Sequence, residues 1–334
     1  MSERFLVYCA GDHCINGFEL DASSHPYLIS RYRLPDAEGR NGSAPMVLSP
    51  DGRFLYAAFR GMPYRVYVFA VDSREAGLQL IGIRPLPADM CHINLDRTGS
   101  YLLGASFTGG VVAVCQMDGD GLPGIARTLE TPPNPHFVTV TGDNRRLLVT
   151  SLGADAVLAY RFDETDSSLV QIGLLQLVPG SGPRHLAKSS IAGQWYVISE
   201  TAGTVTMFTE NEGAGFSVAP PMSILETPPK TSKASDIWIS PNGKTLYAAE
   251  RNVGRIGVFD ISQLGQPVRL GDIETTPFPR VLTTNASGRL LMVASEKSSL
   301  LAIHPVEKRS GMPQPPKFYS IGSRPTWITV LPQT

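Results

Sequence analysis

Two stretches of this chain repeat one another. Pro45-Met46-Val47-Leu48-Ser49-Pro50-Asp51-Gly52-Arg53-Phe54-Leu55-Tyr56-Ala57-Ala58 leads into Arg65-Val66-Tyr67-Val68-Phe69. Later, Asp236-Ile237-Trp238-Ile239-Ser240-Pro241-Asn242-Gly243-Lys244-Thr245-Leu246-Tyr247-Ala248-Ala249 leads into Arg255-Ile256-Gly257-Val258-Phe259. Each reads as strand, tight turn, strand, short loop, strand. Proline fixes one φ of the turn, and Asp-Gly or Asn-Gly supplies a residue that tolerates positive φ. Weaker copies run from His92 to Val114, His136 to Tyr160, Arg184 to Phe208 and Arg280 to Ile303. Pro45, Pro135, Pro183, Pro279 and Pro325 lead copies at one or two periods of roughly 45 to 48 residues, the size of a four-stranded propeller blade.

Six internal copies leave one incomplete set. Pro325-Thr326-Trp327-Ile328-Thr329-Val330 has the pattern of an innermost strand but no chain after it to form a blade. The strands expected at Phe5 to Ala10 and Gly17 to Leu20 can complete it. The expected fold is therefore all-β: a seven-bladed propeller of four-stranded antiparallel blades, closed by pairing the two chain ends. Closure removes the two sheet edges that an open ring would expose. Residues 1–334 are expected to form one domain, since the sequence offers no linker, no low-complexity segment and no helix signal longer than a turn. Cys9 to His25 shows no recognisable blade pattern.

Charge and cysteine usage limit the partners. The 334 residues carry 29 Lys+Arg against 30 Asp+Glu, so no long-range field favours nucleic acid or an anionic membrane. An anionic ligand would need a local cluster of cations. No apolar run approaches the roughly 20 residues of a membrane span, and the N-terminus lacks signal-peptide character. Cys9, Cys14, Cys91 and Cys115 form no C-x-x-C pair and no zinc-type spacing. They read as buried thiols of a cytoplasmic protein.

Function should lie where the blades converge. In an antiparallel meander, the start of the innermost strand lies beside the end of the second strand. Both open on one face around the central channel. Strand starts contribute His92, His136, Arg184, His185, Asp236, Arg280 and Arg324. Second-strand ends contribute Arg60, Ser106, Ser151, Glu200, Glu250, Arg251, Glu296 and Lys297. Arginine dominates, and its planar fork suits carboxylate or phosphate oxygens. A small anion is the expected ligand. His13, His25 and His304 fall outside these positions. There is no G-x-S-x-G elbow, no H-E-x-x-H helix and no phosphate-binding P-loop, and no metal or other cofactor is expected.

Gly182-Pro183-Arg184-His185, Pro279-Arg280, Ala234-Ser235-Asp236-Ile237 and Gly322-Ser323-Arg324-Pro325-Thr326-Trp327 resemble blade openings of the seven-bladed 6-phosphogluconolactonase family. That family includes the fungal-type carboxy-cis,cis-muconate cyclases, and the resemblance runs end to end. Ser189 to Gln194 departs from it, replacing a proline-containing turn. The resemblance implies hydrolysis of an anionic sugar lactone, foremost 6-phospho-D-glucono-1,5-lactone. It also implies catalytic roles for His136, Arg184, Glu200 and a second arginine, Arg251 or Arg280, of which Arg251 is preferred because it ends a second strand. His92, His185, Asp236, Arg280, Arg324 and Lys297 are the expected substrate contacts. Glu200 or His136 would act as base toward water, with arginine stabilising the oxyanion. Cycloisomerisation of a carboxylated muconate, or hydrolysis of another sugar-acid lactone, would use the same groups. A non-catalytic scaffold propeller is the alternative from another class. The expected assembly is a monomer or weak homo-oligomer.

Overall fold

The structure, a computed structural model, describes residues 3–37, 42–163, 168–211 and 215–332. These form seven antiparallel sheets whose innermost strands succeed one another around a central channel. The innermost strands are Met46–Leu48, His92–Leu95, Pro135–Val140, Pro183–Lys188, Ala234–Ile239, Pro279–Thr284 and Pro325–Val330. Six sheets follow chain order from inside to outside. The seventh is ordered Pro325–Val330, Glu3–Cys9, Cys14–Leu20, Pro26–Arg33, so the ends of the chain close the ring. The sheet built on Pro183–Lys188 carries a fifth short strand, Met222–Ser223, beside Thr204–Glu210.

The expected turn chemistry repeats in atomic detail. Ser49 Oγ donates to Asp51 Oδ1 at 2.6 Å and accepts the Phe54 N–H at 2.9 Å, while Gly52 takes φ 71°. Ser240 does the same with Asn242 and Thr245, and Gly243 also has φ 71°. A side chain at either glycine would be strained in that left-handed conformation. Each turn thereby sets the register of the strands beside it.

Cohesion comes from seven apolar clusters, one at each boundary between neighbouring blades. The closing boundary is packed like the others: Phe5, Val7 and Phe18 meet Met292, Leu301 and Ile303. A large-to-small substitution within such a boundary costs about 2–5 kcal/mol. The region from Cys9 to His25 differs from its sequence reading. It holds a regular hairpin, with Glu3–Cys9 in full register against Cys14–Leu20 and His13 at φ 50° in the turn. Its pattern was obscured because Asn16 and Gly17 occupy buried strand positions normally taken by apolar residues.

Candidate active site at the channel mouth

The innermost strands share a local distortion that places the site. In five of them the register against the neighbouring strand shifts by one residue just after the strand begins. In four of them the extra residue is His136, Arg184, Arg280 or Thr326 and the residue after it resumes regular pairing; in Ala234–Ile239, Ser235 and Asp236 fall opposite Ala249 and pairing resumes at Ile237. Such bulges re-aim side chains. They also divide the strand starts into two levels of the channel, which the sequence reading had merged.

The second level is made of Val47, His92, Phe137, His185, Asp236, Val281 and Trp327. All line a cavity of about 550 Å³ that opens toward the far ends of the innermost strands. Trp238 also lines this cavity and is 38% exposed. Trp238 and Trp327 therefore face a channel mouth, a placement not apparent from their positions within strands. His92, His185 and Asp236, expected to contact substrate beside Arg280, lie at this deeper level instead. His92 Nδ1 accepts the Val138 N–H from the next blade at 3.4 Å. Asp236 spans three blades: its Oδ1 accepts from His185 Nδ1 at 2.8 Å, and its Oδ2 accepts the Leu282 N–H at 3.0 Å.

At the opposite mouth, where the innermost strands begin, two adjoining cavities of about 330 and 600 Å³ share Arg280, Glu296 and Arg324. Arg60 and Asp89 complete the first; Lys233, Arg251, Phe278 and Lys297 complete the second. Six cationic side chains thus face two carboxylates across this mouth. Asp89 is paired with Arg60 at 2.9 Å and Glu296 with Arg280 at 2.9 Å. Of the residues expected around the channel, Arg60, Arg251, Arg280, Glu296, Lys297 and Arg324 line this mouth. Asp89, Lys233, Phe278 and Thr326 join them and were not anticipated. Lys233 and Phe278 directly precede Ala234 and Pro279, the first residues of their innermost strands, so position offered a signal that residue type did not.

His136 and Arg184 are bulge residues like Arg280 and Thr326, but neither they nor Glu200 line these two cavities. Arg184 is 2% exposed. Its Nε is 2.9 Å from Glu200 Oε2, and its Nη1 donates to His185 Nε2 at 3.0 Å and to the Ser235 carbonyl. Glu200 is half-buried and uses its other oxygen, Oε1, toward Arg251 Nη2 at 2.8 Å. Arg251 is further tied by its Nε to the Lys233 carbonyl at 2.9 Å. Glu200 is thus the link between a buried arginine and one at the mouth.

Electrostatics follow from this crowding. Burial, Arg251 and Arg280 push Arg184 down to about 9, against the opposing pull of Glu200 and Asp236, so it stays cationic at neutral pH. Burial and then Arg184 depress His185 to about 4, although Asp236 acts the other way. Burial, followed by Arg184, holds His136 well below the usual imidazole range. His136 is therefore a neutral imidazole at pH 7, and its buried Nδ1 has no hydrogen-bond partner among the described residues. Among the described residues, no group of three or more His, Cys, Asp and Glu side chains is placed to hold a metal ion. No described helix is long and apolar enough to cross a membrane.

Comparison with known proteins agrees with this architecture. The chain is 30% identical to a 6-phosphogluconolactonase from Cronobacter sakazakii over 90% of its length and 91% of the relative's. A Klebsiella pneumoniae 6-phosphogluconolactonase is 29% identical, with 95% of each chain covered. Among solved structures, the Pseudomonas aeruginosa periplasmic gluconolactonase superposes with a TM-score of 0.91 at 20% identity, covering 99% of each chain; at that identity it speaks for the fold. Residues 18–330 match the family described as lactonase, 7-bladed beta-propeller. A closed seven-bladed ring, matched over nearly its whole length, makes this chain a member of the seven-bladed β-propeller lactonase family.

Proposed function

We propose that this protein hydrolyses the ester bond of an anionic sugar lactone, 6-phospho-D-glucono-1,5-lactone, at the mouth where the innermost strands begin. The observation that carries the reading is the excess of cations there: six cationic side chains and two carboxylates line adjoining cavities, and one of the cations, Arg280, acts electrostatically on the neutral imidazole of His136. A small dianion gains from such a mouth, and the substrates named for the curated relatives are of that kind.

In this reading the lactone carbonyl faces Arg251 and Arg280, which meet the negative charge that grows on its oxygen. His136 takes a proton from water as the water oxygen bonds to C1. The tetrahedral intermediate then collapses, the C1–O5 bond breaks, and the imidazolium returns the proton to the departing O5 alkoxide. The carboxylic acid formed ionises and releases one proton. Arg184 acts through Glu200, which holds Arg251 in place. Uncatalysed opening of aldonolactones is already quick, so the rate enhancement required is modest. Free, buried thiols at Cys9, Cys14, Cys91 and Cys115 suit a reducing cytoplasm.

The test is a substrate comparison with freshly made lactones. Acid release above the spontaneous rate is expected with 6-phosphogluconolactone and should be slower with unphosphorylated gluconolactone. Turnover of a carboxymuconate with no lactone hydrolysis would replace this reading with the cycloisomerase one.

A further inference from the structure

The residue preceding the leading proline adopts a left-handed backbone at four blade starts. Two of these residues tolerate it: Gly182 at φ 66° and Asn134 at φ 60°. The other two, Phe278 at φ 54° and Arg324 at φ 53°, do not, and both line the same 600 Å³ cavity. A bulky side chain in this conformation persists only where its surroundings hold it, and such strain gathers at functional sites. Phe278 belongs to none of the seven apolar clusters between blades. Its ring instead gathers cations: Lys297 Nζ lies 4.0 Å from the centroid, Arg251 Cζ 5.5 Å and Lys233 Nζ 5.7 Å.

An aromatic face attracts ammonium and guanidinium groups through its quadrupole. Unlike a carboxylate, it holds them without cancelling their charge. Neither Lys233 nor Lys297 has a carboxylate partner among the described residues. We infer that Phe278 is a specificity-determining residue: its ring gathers Lys233 and Lys297, neither of them paired to a carboxylate, into a subsite for a phosphate monoester beside Arg251, and so selects phosphorylated over unphosphorylated lactones. The inference rests on the lactonase reading for the reaction and on the ring geometry for the subsite.

Phe278→Leu keeps an apolar side chain without a π face, whereas Phe278→Tyr keeps the face. The leucine variant should lower the ratio of kcat/KM for 6-phosphogluconolactone over gluconolactone about tenfold, the scale of one good cation–π contact. The tyrosine variant should keep the wild-type ratio. An unchanged ratio in Phe278→Leu, or an equal fall in both variants, overturns the inference. Calorimetry with 6-phosphogluconate and gluconate reads the subsite without catalysis. Wild-type protein should bind the phosphorylated acid more tightly, and Phe278→Leu should lose that margin. If neither lactone is hydrolysed, the enzymatic reading fails while this binding result still decides the subsite; equal affinity for both acids sinks it. Phe278→Asn relieves the backbone and should raise or maintain Tm. A lower Tm would make the ring a structural element and overturn the assignment.

Discussion

His185 Nδ1 lies 2.8 Å from Asp236 Oδ1, across the boundary between two blades. The pairing fixes the imidazole tautomer: Nδ1 carries the proton and donates it to the carboxylate, leaving Nε2 to accept from Arg184 Nη1 at 3.0 Å. A chain of Asp236, His185 and Arg184 therefore orients the buried guanidinium that supports Glu200. Asp236→Asn places an amide where two backbone N–H groups and an imidazole N–H all need acceptors. It should destabilise the protein by about 1–3 kcal/mol, read from urea unfolding. The chain also predicts the pH dependence of stability. Burial and Arg184 lower His185 to about 4 in the folded state, so the unfolded chain binds its proton first as pH falls below 6.5. The contribution is fully present above pH 6.5 and is lost as pH falls toward 4. His185→Asn should flatten that decline in Tm; an unchanged slope would contradict the assignment.

Glu200 holds Arg184 at 2.9 Å and Arg251 at 2.8 Å. Glu200→Gln removes the charge between two guanidiniums that then repel. Stability should fall by about 1–3 kcal/mol, less than for a fully buried pair because the carboxylate is half-buried. Catalysis should suffer more, with kcat/KM falling about 10–100-fold as Arg251 loses its support. Circular dichroism and steady-state kinetics on the same preparation check both. A variant with normal kcat/KM would remove Glu200 from the account.

His136 is held well below the usual imidazole range by burial and by Arg184. A base of this kind is already deprotonated at pH 6.5. After subtraction of the spontaneous reaction, kcat should stay flat from pH 8 down to pH 6.5 and fall only at more acidic pH. A profile with its midpoint at the ordinary imidazole value would mean that another group supplies the base.

Much of this architecture is visible in the residues themselves. Ser49-Pro50-Asp51-Gly52 and Ser240-Pro241-Asn242-Gly243 announce two blades because their local hydrogen bonds need those residue types. The unmatched strand at Pro325 announces closure, since nothing else can pair with it but the N-terminal strand. The two levels of the channel were hidden. Simple order along the strand does not reveal them, because one inserted residue at His136, Arg184 or Arg280 shifts everything after it. His92 is in register with Phe137 and His185 and so belongs to the deeper level. Phe278 escaped notice because aromatic residues in a strand-rich chain are usually core, and only its backbone angle and its ring of cations distinguish it.

The central claim is that a phosphorylated lactone is opened at the cationic mouth with His136 as the base. The most direct measurement is proton release from freshly generated 6-phosphogluconolactone by wild-type protein and by His136→Asn, with unfolding curves for both. The account predicts a rate well above the spontaneous one for wild type and a loss of about 10²–10⁴-fold in the folded variant. No enhancement by the wild type, or full activity in the variant, would contradict it.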